Sequence, residues 1–149
     1  MTKTIIVRYG ELALKSERVR RRFERCLIDN IKMALRGLDF KLARERGRIF
    51  VNTGKVDAAA KLLTRVPGIV SVSPAVKVNA KMGAISSAAV KAAKKTLTPG
   101  KTFAIRTRRV GEHEFSSQDV NITVGSAVLN AVTGTSVDLS APDQEISIE

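Results

Sequence analysis

The sequence is poor in the side chains that build most metal and redox sites. It has one cysteine, Cys26, one histidine, His113, and no tryptophan among 149 residues. A single thiol excludes an internal disulfide, a multi-cysteine zinc site and a two-thiol relay within these residues. Glu112 and Glu114 flank His113 in a predicted loop, where one imidazole with neighbouring carboxylates is far more often solvent-exposed than metal-bound. We therefore predict no metal site and no catalytic residue here.

The sequence also has no recognisable nucleotide or membrane motif. Its ten glycines are all separated and form neither a dinucleotide fingerprint nor a P-loop. No apolar run approaches the roughly 18 residues that a membrane span needs. The first residues, MTKTIIVRYG, enter a strand-like pattern without a signal-peptide layout. We expect a cytoplasmic protein with no membrane partner.

Aromatic residues are scarce at 4%, with one Tyr and five Phe. Most of the Phe positions fall in apolar patterns that predict core, so broad base stacking of the RRM or OB type is not expected. Phe115 precedes a predicted helix start. Two interpretations of it stay open: an exposed ring, or a hydrophobic staple onto that helix.

Basic residues, in contrast, are abundant and unevenly placed. The 26 Lys and Arg against 14 acidic residues give a net charge of +12 and a pI near 10.5. All 26 lie between Lys3 and Arg109, where seven acidic residues leave a net +19, whereas Val110–Glu149 has seven acidic residues and no Lys or Arg, a net −7. This imbalance points to a polyanionic partner, nucleic acid first.

Apolar periodicity predicts an α+β fold in two domains. The order strand, helix, strand, strand, helix, strand over residues 1–77 is the split βαβ, or ferredoxin-like, arrangement. Residues 78–149 predict a second α/β domain, with helices over 85–97 and from 116 to 134 and strands over 101–109, 136–140 and 145–149. The last strand pattern stops at Glu149, so we expect this domain to be incomplete at its C-terminus.

The first long helix, predicted over Arg18–Arg36, starts with a dense basic cluster. Its members are Arg18, Arg20, Arg21, Arg22 and Arg25. Cations in the first turns oppose the helix dipole by roughly 0.3–1 kcal/mol each, whereas an anion bound there would offset that cost. The alternative is a solvated face with Glu17–Arg21 and Arg20–Glu24 ion pairs, each worth only about 0.2–0.5 kcal/mol. The phosphate-binding interpretation is favoured.

Two further arginine groups carry less weight, because exposed strands often use charge to prevent aggregation. Arg44, Arg46 and Arg48 surround a predicted hairpin turn, and Arg106, Arg108 and Arg109 lie on a strand of the second domain. Cys26 falls on the apolar stripe of the long helix, which predicts a small core residue rather than a nucleophile.

Two segments resemble one family. Val7–Asn30, VRYGELALKSERVRRRFERCLIDN, resembles the opening motif of the tRNA 4-thiouridine synthetases, or tRNA sulfurtransferases, in their N-terminal ferredoxin-like domain. Thr102–Glu149 resembles the THUMP domain of that family through TFAIRTRR, then Phe115-Ser116-Ser117 opening a helix, and VDLSAPD before a strand. The resemblance implies capture of tRNA by its acceptor stem and single-stranded 3′ end, for a catalytic domain that adenylates and then thiolates a uridine.

The same resemblance places the catalytic ATP pyrophosphatase domain, and any rhodanese-type sulfur carrier, beyond Glu149. These residues are then not an enzyme by themselves and hold no cofactor, since ATP and Mg belong to the catalytic domain. The implied partners are tRNA, a catalytic sulfurtransferase domain or partner enzyme and, indirectly, a sulfur-donating cysteine desulfurase, with a homodimer left open.

The resemblance also implies RNA-binding residues by position. They are Lys15, Arg18, Arg21 and Arg22 in the first motif, and Arg106, Arg108, Arg109, Phe115 and Ser116 in the THUMP motif. We expect the helix cluster to bind backbone phosphates and the second group to stack unpaired bases. Relatives often have Lys in the loop that here contains Glu112 and Glu114, which shifts the expected contact toward the preceding arginines.

Two other functions are compatible with the sequence. One is a standalone THUMP adaptor that delivers tRNA to a separate modification enzyme. The other is a ferredoxin-like enzyme or regulatory module of the acylphosphatase type that does not bind RNA, although this hypothesis leaves the clustering of arginines without a reason.

Overall fold

The computed structural model describes residues 2–10, 16–45 and 47–149, which form seven strands and four helices. The chain divides into two compact units, Met1–Lys77 and Val78–Glu149. In chain order the elements of the first unit are β1 (Thr2–Tyr9), α1 (Glu17–Ala34), β2 (Lys41–Glu45), β3 (Arg48–Asn52), α2 (Val56–Leu63) and β4 (Ile69–Lys77). Those of the second are α3 (Met82–Thr96), β5 (Thr102–Thr107), α4 (Ser117–Ala131), β6 (Ser136–Val137) and β7 (Gln144–Ile148).

The first unit is an antiparallel sheet with two helices packed on it. The strand order is β2-β3-β1-β4, with β1 paired antiparallel to both β3 and β4. Alternate residues of the central strands, such as Ile5 and Val51, are fully buried together with Leu27, Ile31 and Leu63 of the helices. The predicted ferredoxin-like arrangement is confirmed.

The prediction that Cys26 is a core residue is wrong, because the Cys26 side chain is exposed. Helix α1 packs through Leu27, Ile31 and the following Leu35, which repeat every four residues and are buried. Cys26 lies one position, or about 100°, away from Leu27 around the helix. That rotation is enough to turn a small side chain at the margin of the apolar stripe toward solvent.

The second unit has a parallel sheet with helices packed on it. Its order is β6-β5-β7, and β5 pairs parallel with both neighbours. Phe103 of β5 is completely buried against the α4 valines Val120, Val124 and Val128 and the small α3 residue Ala93. Because β5 and β7 are parallel, their C-terminal ends lie at the same edge of the sheet. The loop from β5 to α4 begins at that edge.

The predicted strand over residues 136–140 is shorter than expected. Only Ser136–Val137 pairs with β5. The Asp138 carboxylate then accepts hydrogen bonds from the backbone N–H groups of Ser140 (2.9 Å) and Ala141 (3.1 Å). This side chain-to-backbone turn competes with strand pairing and ends β6.

Candidate nucleic-acid interface

The start of α1 presents several arginines on one exposed face. Ser16 is the N-cap and accepts a hydrogen bond from the Val19 N–H at 3.3 Å, which fixes where the helix begins. Arg18, Arg22 and Arg25 are all exposed, and their spacing of three and four residues places them side by side. Of the residues implied by the first motif, Arg18, Arg21 and Arg22 are thus brought together, and Lys15 lies outside the described residues.

The predicted Glu17–Arg21 ion pair forms, with Arg21 Nη2 at 2.6 Å from Glu17 Oε1. Both side chains are about 70% exposed (70% and 68%), so the pair contributes only about 0.3–0.5 kcal/mol. Within residues 2–10, 16–45 and 47–149, no acidic side chain pairs with Arg18, Arg22 or Arg25. The described acidic residues therefore leave the positive charge of Arg18, Arg22 and Arg25 unpaired.

The predicted Arg20–Glu24 pair is replaced by a longer-range contact. Glu24 accepts a hydrogen bond from Tyr9 Oη of β1 at 3.0 Å and forms a short ion pair with Arg44 of β2. Both partners come from the sheet, so their distance from Glu24 depends on how α1 packs and not on helical spacing. Burial of the phenol, then its hydrogen bond to Glu24 and the charge of that carboxylate, raise the pKa of Tyr9 to about 12.

This contact brings a second arginine group to the helix. A shallow cleft of about 420 Å³ lies between the start of α1 and the β2–β3 hairpin. Its lining residues are Glu17, Arg20, Arg21, Glu24, Arg44 and Gly47. In the sequence Arg44 is only weak evidence for a binding site. In the structure its guanidinium lies beside α1, where it pairs with Glu24 and lines the cleft. Arg46 of the same hairpin lies outside the described residues.

In the second unit, Arg106 is held by its own domain. Its Nη2 donates to the Leu139 carbonyl at 2.5 Å and its Nε to Glu145 of β7 at 3.4 Å. Arg108 follows β5, and its backbone N–H donates to the Ile148 carbonyl at 2.8 Å while its side chain is exposed. Arg108 is thus the more available cation of the two.

The loop between β5 and α4 is closed by three contacts. Arg109 Nη1 reaches the His113 carbonyl (3.4 Å), and His113 Nε2 lies 3.1 Å from the Val110 carbonyl. The His113 ring is stacked on Phe115, with 5.6 Å between centroids and 11° between planes. Phe115 is half-buried against the core of the second unit, as a staple would be. From the sequence alone His113 is only a weak metal-ligand candidate, and no local pattern predicts its stack with Phe115.

Ser116, the last of the implied RNA-binding residues, forms the N-cap of α4. Its hydroxyl accepts from the Asp119 N–H at 3.1 Å, and its own N–H donates to the Asp119 carboxylate at 2.8 Å. The two residues thus form a reciprocal capping box, whose sequence signature is Ser followed three residues later by an acidic side chain. These hydrogen bonds lower the pKa of Asp119, so a negative charge already occupies this helix start.

The described part of the chain contains no group of three or more His, Cys, Asp or Glu residues that could hold a metal ion. None of its helices has the length and apolar composition that crossing a membrane requires.

Family models match both units. Residues 4–73 match the ThiI ferredoxin-like domain, and residues 79–149 match the THUMP domain. The chain thus consists of a ThiI ferredoxin-like domain followed by a THUMP domain. The ThiI ferredoxin-like domain carries the α1 arginines and Arg44, and the THUMP domain carries Arg106, Arg108 and the His113–Phe115 stack.

Individual relatives agree with this assignment. A probable tRNA sulfurtransferase of Methanothermobacter thermautotrophicus is 41% identical over 97% of this chain, which spans 38% of that protein. The crystal structure of PH1313 from Pyrococcus horikoshii is 36% identical, with a TM-score of 0.85 over 99% of this chain and 51% of that one. A 4-thiouridine synthetase crystallised with RNA and ATP has the same fold, with a TM-score of 0.81 and 24% identity over 100% of this chain and 39% of its own.

Proposed function

We propose that this chain is a tRNA-binding module that recruits the acceptor stem and 3′ end of tRNA for 4-thiouridine formation by a sulfurtransferase. The names of its relatives support this, since they include tRNA sulfurtransferases and a 4-thiouridine synthetase crystallised with RNA. The chain spans only 38% of the first of these relatives. We therefore propose a role in tRNA binding, and not in catalysis, for these residues.

The observation that carries the proposal is the arginine cluster on the exposed face of α1. Arg18, Arg22 and Arg25 are exposed without an acidic partner among the described residues, and Arg44, although paired with Glu24, keeps a half-exposed side chain across the cleft. Guanidinium groups suit phosphate because their planar N–H donors match two phosphate oxygens at once. A convex helix face with several such groups binds the backbone of an RNA stem without reading its bases.

Catalysis, in this proposal, needs a further domain or a separate partner. The chain binds RNA, a sulfurtransferase domain or enzyme supplies the ATP and Mg chemistry, and a cysteine desulfurase supplies sulfur to that enzyme. Localisation in the cytoplasm, where tRNA is modified, is part of the same proposal.

The salt dependence of tRNA binding tests the proposed surface. If about six phosphates are neutralised, log K should fall against log salt with a slope of roughly −4 to −5.5. The double variant Arg18→Ala/Arg22→Ala should flatten this slope by about two, one for each lost phosphate contact. Fluorescence anisotropy of labelled tRNA at several salt concentrations measures both values.

A matched control separates a local contact from net charge. Lys61→Ala/Arg65→Ala removes two exposed cations from the α2 region of the same unit and should leave the slope almost unchanged. A wild-type slope near zero would contradict electrostatic tRNA binding. Equal losses in the two double variants would show that net charge acts and that α1 is not the contact surface.

A further inference from the structure

The loop between β5 and α4 carries an aromatic surface that the THUMP motif by itself does not assign. We propose that the outer face of His113, backed by Phe115, is a stacking site for one unpaired nucleobase. This rests on the proposed function, because it names which part of an RNA the THUMP domain binds and by which ring.

The first argument is that the imidazole is held in place before any ligand binds. Phe115 lies in an offset parallel stack against the ring, with 5.6 Å between centroids, the Val110 carbonyl lies 3.1 Å from Nε2, and Arg109 Nη1 donates to the His113 carbonyl at 3.4 Å. Phe115 is itself anchored in the domain core. A ring fixed in this way loses little conformational entropy when a base stacks on it.

The second argument concerns which ring is available. Phe115 is half-buried and has His113 against it, whereas His113 is exposed. An incoming base therefore meets the imidazole and not the phenyl ring. The expectation that Phe115 itself receives bases is changed by the structure into a supporting role beneath His113.

The third argument is electrostatic and concerns the kind of ligand. Glu112 and Glu114 lie in the loop, and Asp119 caps the start of α4 that follows it. Three carboxylates disfavour a phosphate group at this point, but they do not repel a neutral base. The exposed side chain of Arg108 lies a few residues before the loop and can receive the phosphate that precedes the stacked nucleotide.

The experiment compares tRNA carrying its single-stranded 3′ tail with tRNA trimmed of that tail. For the wild type we expect tighter binding of the intact form. His113→Ala should reduce that preference by roughly fivefold or more, because one base–aromatic stack accounts for such a factor. His113→Phe should retain the preference, and Phe115→Leu should weaken it while preserving apolar burial. Asn130→Ala, at an exposed position near the end of α4, serves as a control that keeps both rings and the charges of the loop.

A direct readout uses a short single-stranded RNA ending in 2-aminopurine, whose fluorescence is quenched by stacking. We expect the wild type and His113→Phe to quench it and His113→Ala not to do so. If His113→Ala keeps both the quenching and the tail preference while tRNA still binds, the stacking site is wrong and the proposed function stands. If the wild type binds no tRNA, the proposed function falls and the stacking site with it.

Discussion

At the scale of single residues, the environment of a side chain matters more than its type. Glu24 has the spacing for a pair with Arg20 but instead accepts from Tyr9 and Arg44. One carboxylate thereby connects α1 to β1 and β2. An Arg20–Glu24 pair would have stabilised only α1. The Glu24–Arg44 pair also positions an arginine of the β2–β3 hairpin beside the helix.

Tyr9 offers a clean test of that contact, because it is the only tyrosine and there is no tryptophan. Its pKa is raised to about 12, above the usual value near 10. The folded state therefore holds the phenol proton more tightly, and this contribution to stability is lost as pH rises from about 10 to about 12. Phenolate absorbance should titrate near pH 12 in the wild type and at lower pH in Glu24→Gln. A wild-type midpoint near 10 would mean that Tyr9 does not contact Glu24 in solution.

At the scale of elements, α1 and α4 both begin with a serine cap, but the two starts differ in charge. Ser16 caps a helix whose first turns are arginine-rich, while Ser116 and Asp119 close a reciprocal capping box at α4. The first start can receive phosphate in the way helix N-termini do. The start of α4 already holds the Asp119 carboxylate, so in the proposed interface the preceding loop is suited to a base and not to a phosphate.

The cap of α4 gives a stability prediction for the THUMP domain. Ser116→Ala should cost about 1 kcal/mol, because the hydroxyl no longer accepts the Asp119 N–H. The wild-type cap also lowers the pKa of Asp119. Its contribution is therefore present above the unfolded-state pKa and lost as pH falls through the lower folded-state value. Amide hydrogen exchange of α4 at neutral and acidic pH measures both effects.

Ser126→Ala provides the comparison, since Ser126 is exposed in the interior of the same helix and should change stability by a few tenths of a kcal/mol at most. If Ser116→Ala left α4 exchange unaltered and lowered only RNA affinity, the hydroxyl would be an RNA contact and not a structural cap.

At the scale of the whole molecule, net positive charge is divided unequally between the two units. Residues 1–77 contain 18 basic and 7 acidic residues, a net +11, whereas residues 78–149 contain 8 and 7, a net +1. In the proposed function, long-range attraction of RNA is therefore expected mainly from the ferredoxin-like domain. The nearly neutral THUMP domain is suited to short-range contacts such as stacking and hydrogen bonds.

The proposed role also predicts what these 149 residues do not do. Mixed with ATP, a sulfur donor and tRNA, they should form no 4-thiouridine, because the ten separated glycines form no P-loop and Cys26 is the only thiol. Liquid chromatography of the digested tRNA detects the product, and an active sulfurtransferase is the positive control. Thiolation by the purified chain alone would overturn the assignment as a binding module.

The sequence by itself determined the order of the elements and the unequal charge of the two halves. These are properties of neighbouring residues, so the spacing of apolar side chains and the distribution of charged residues are sufficient to predict them. Tertiary structure decided which carboxylate Arg44 meets, which side of α1 leaves Cys26 exposed, and that Phe115 packs against the core of the second unit. Those outcomes depend on how a helix or loop rests on a sheet, and chain-distant packing leaves no periodic signal in one sequence.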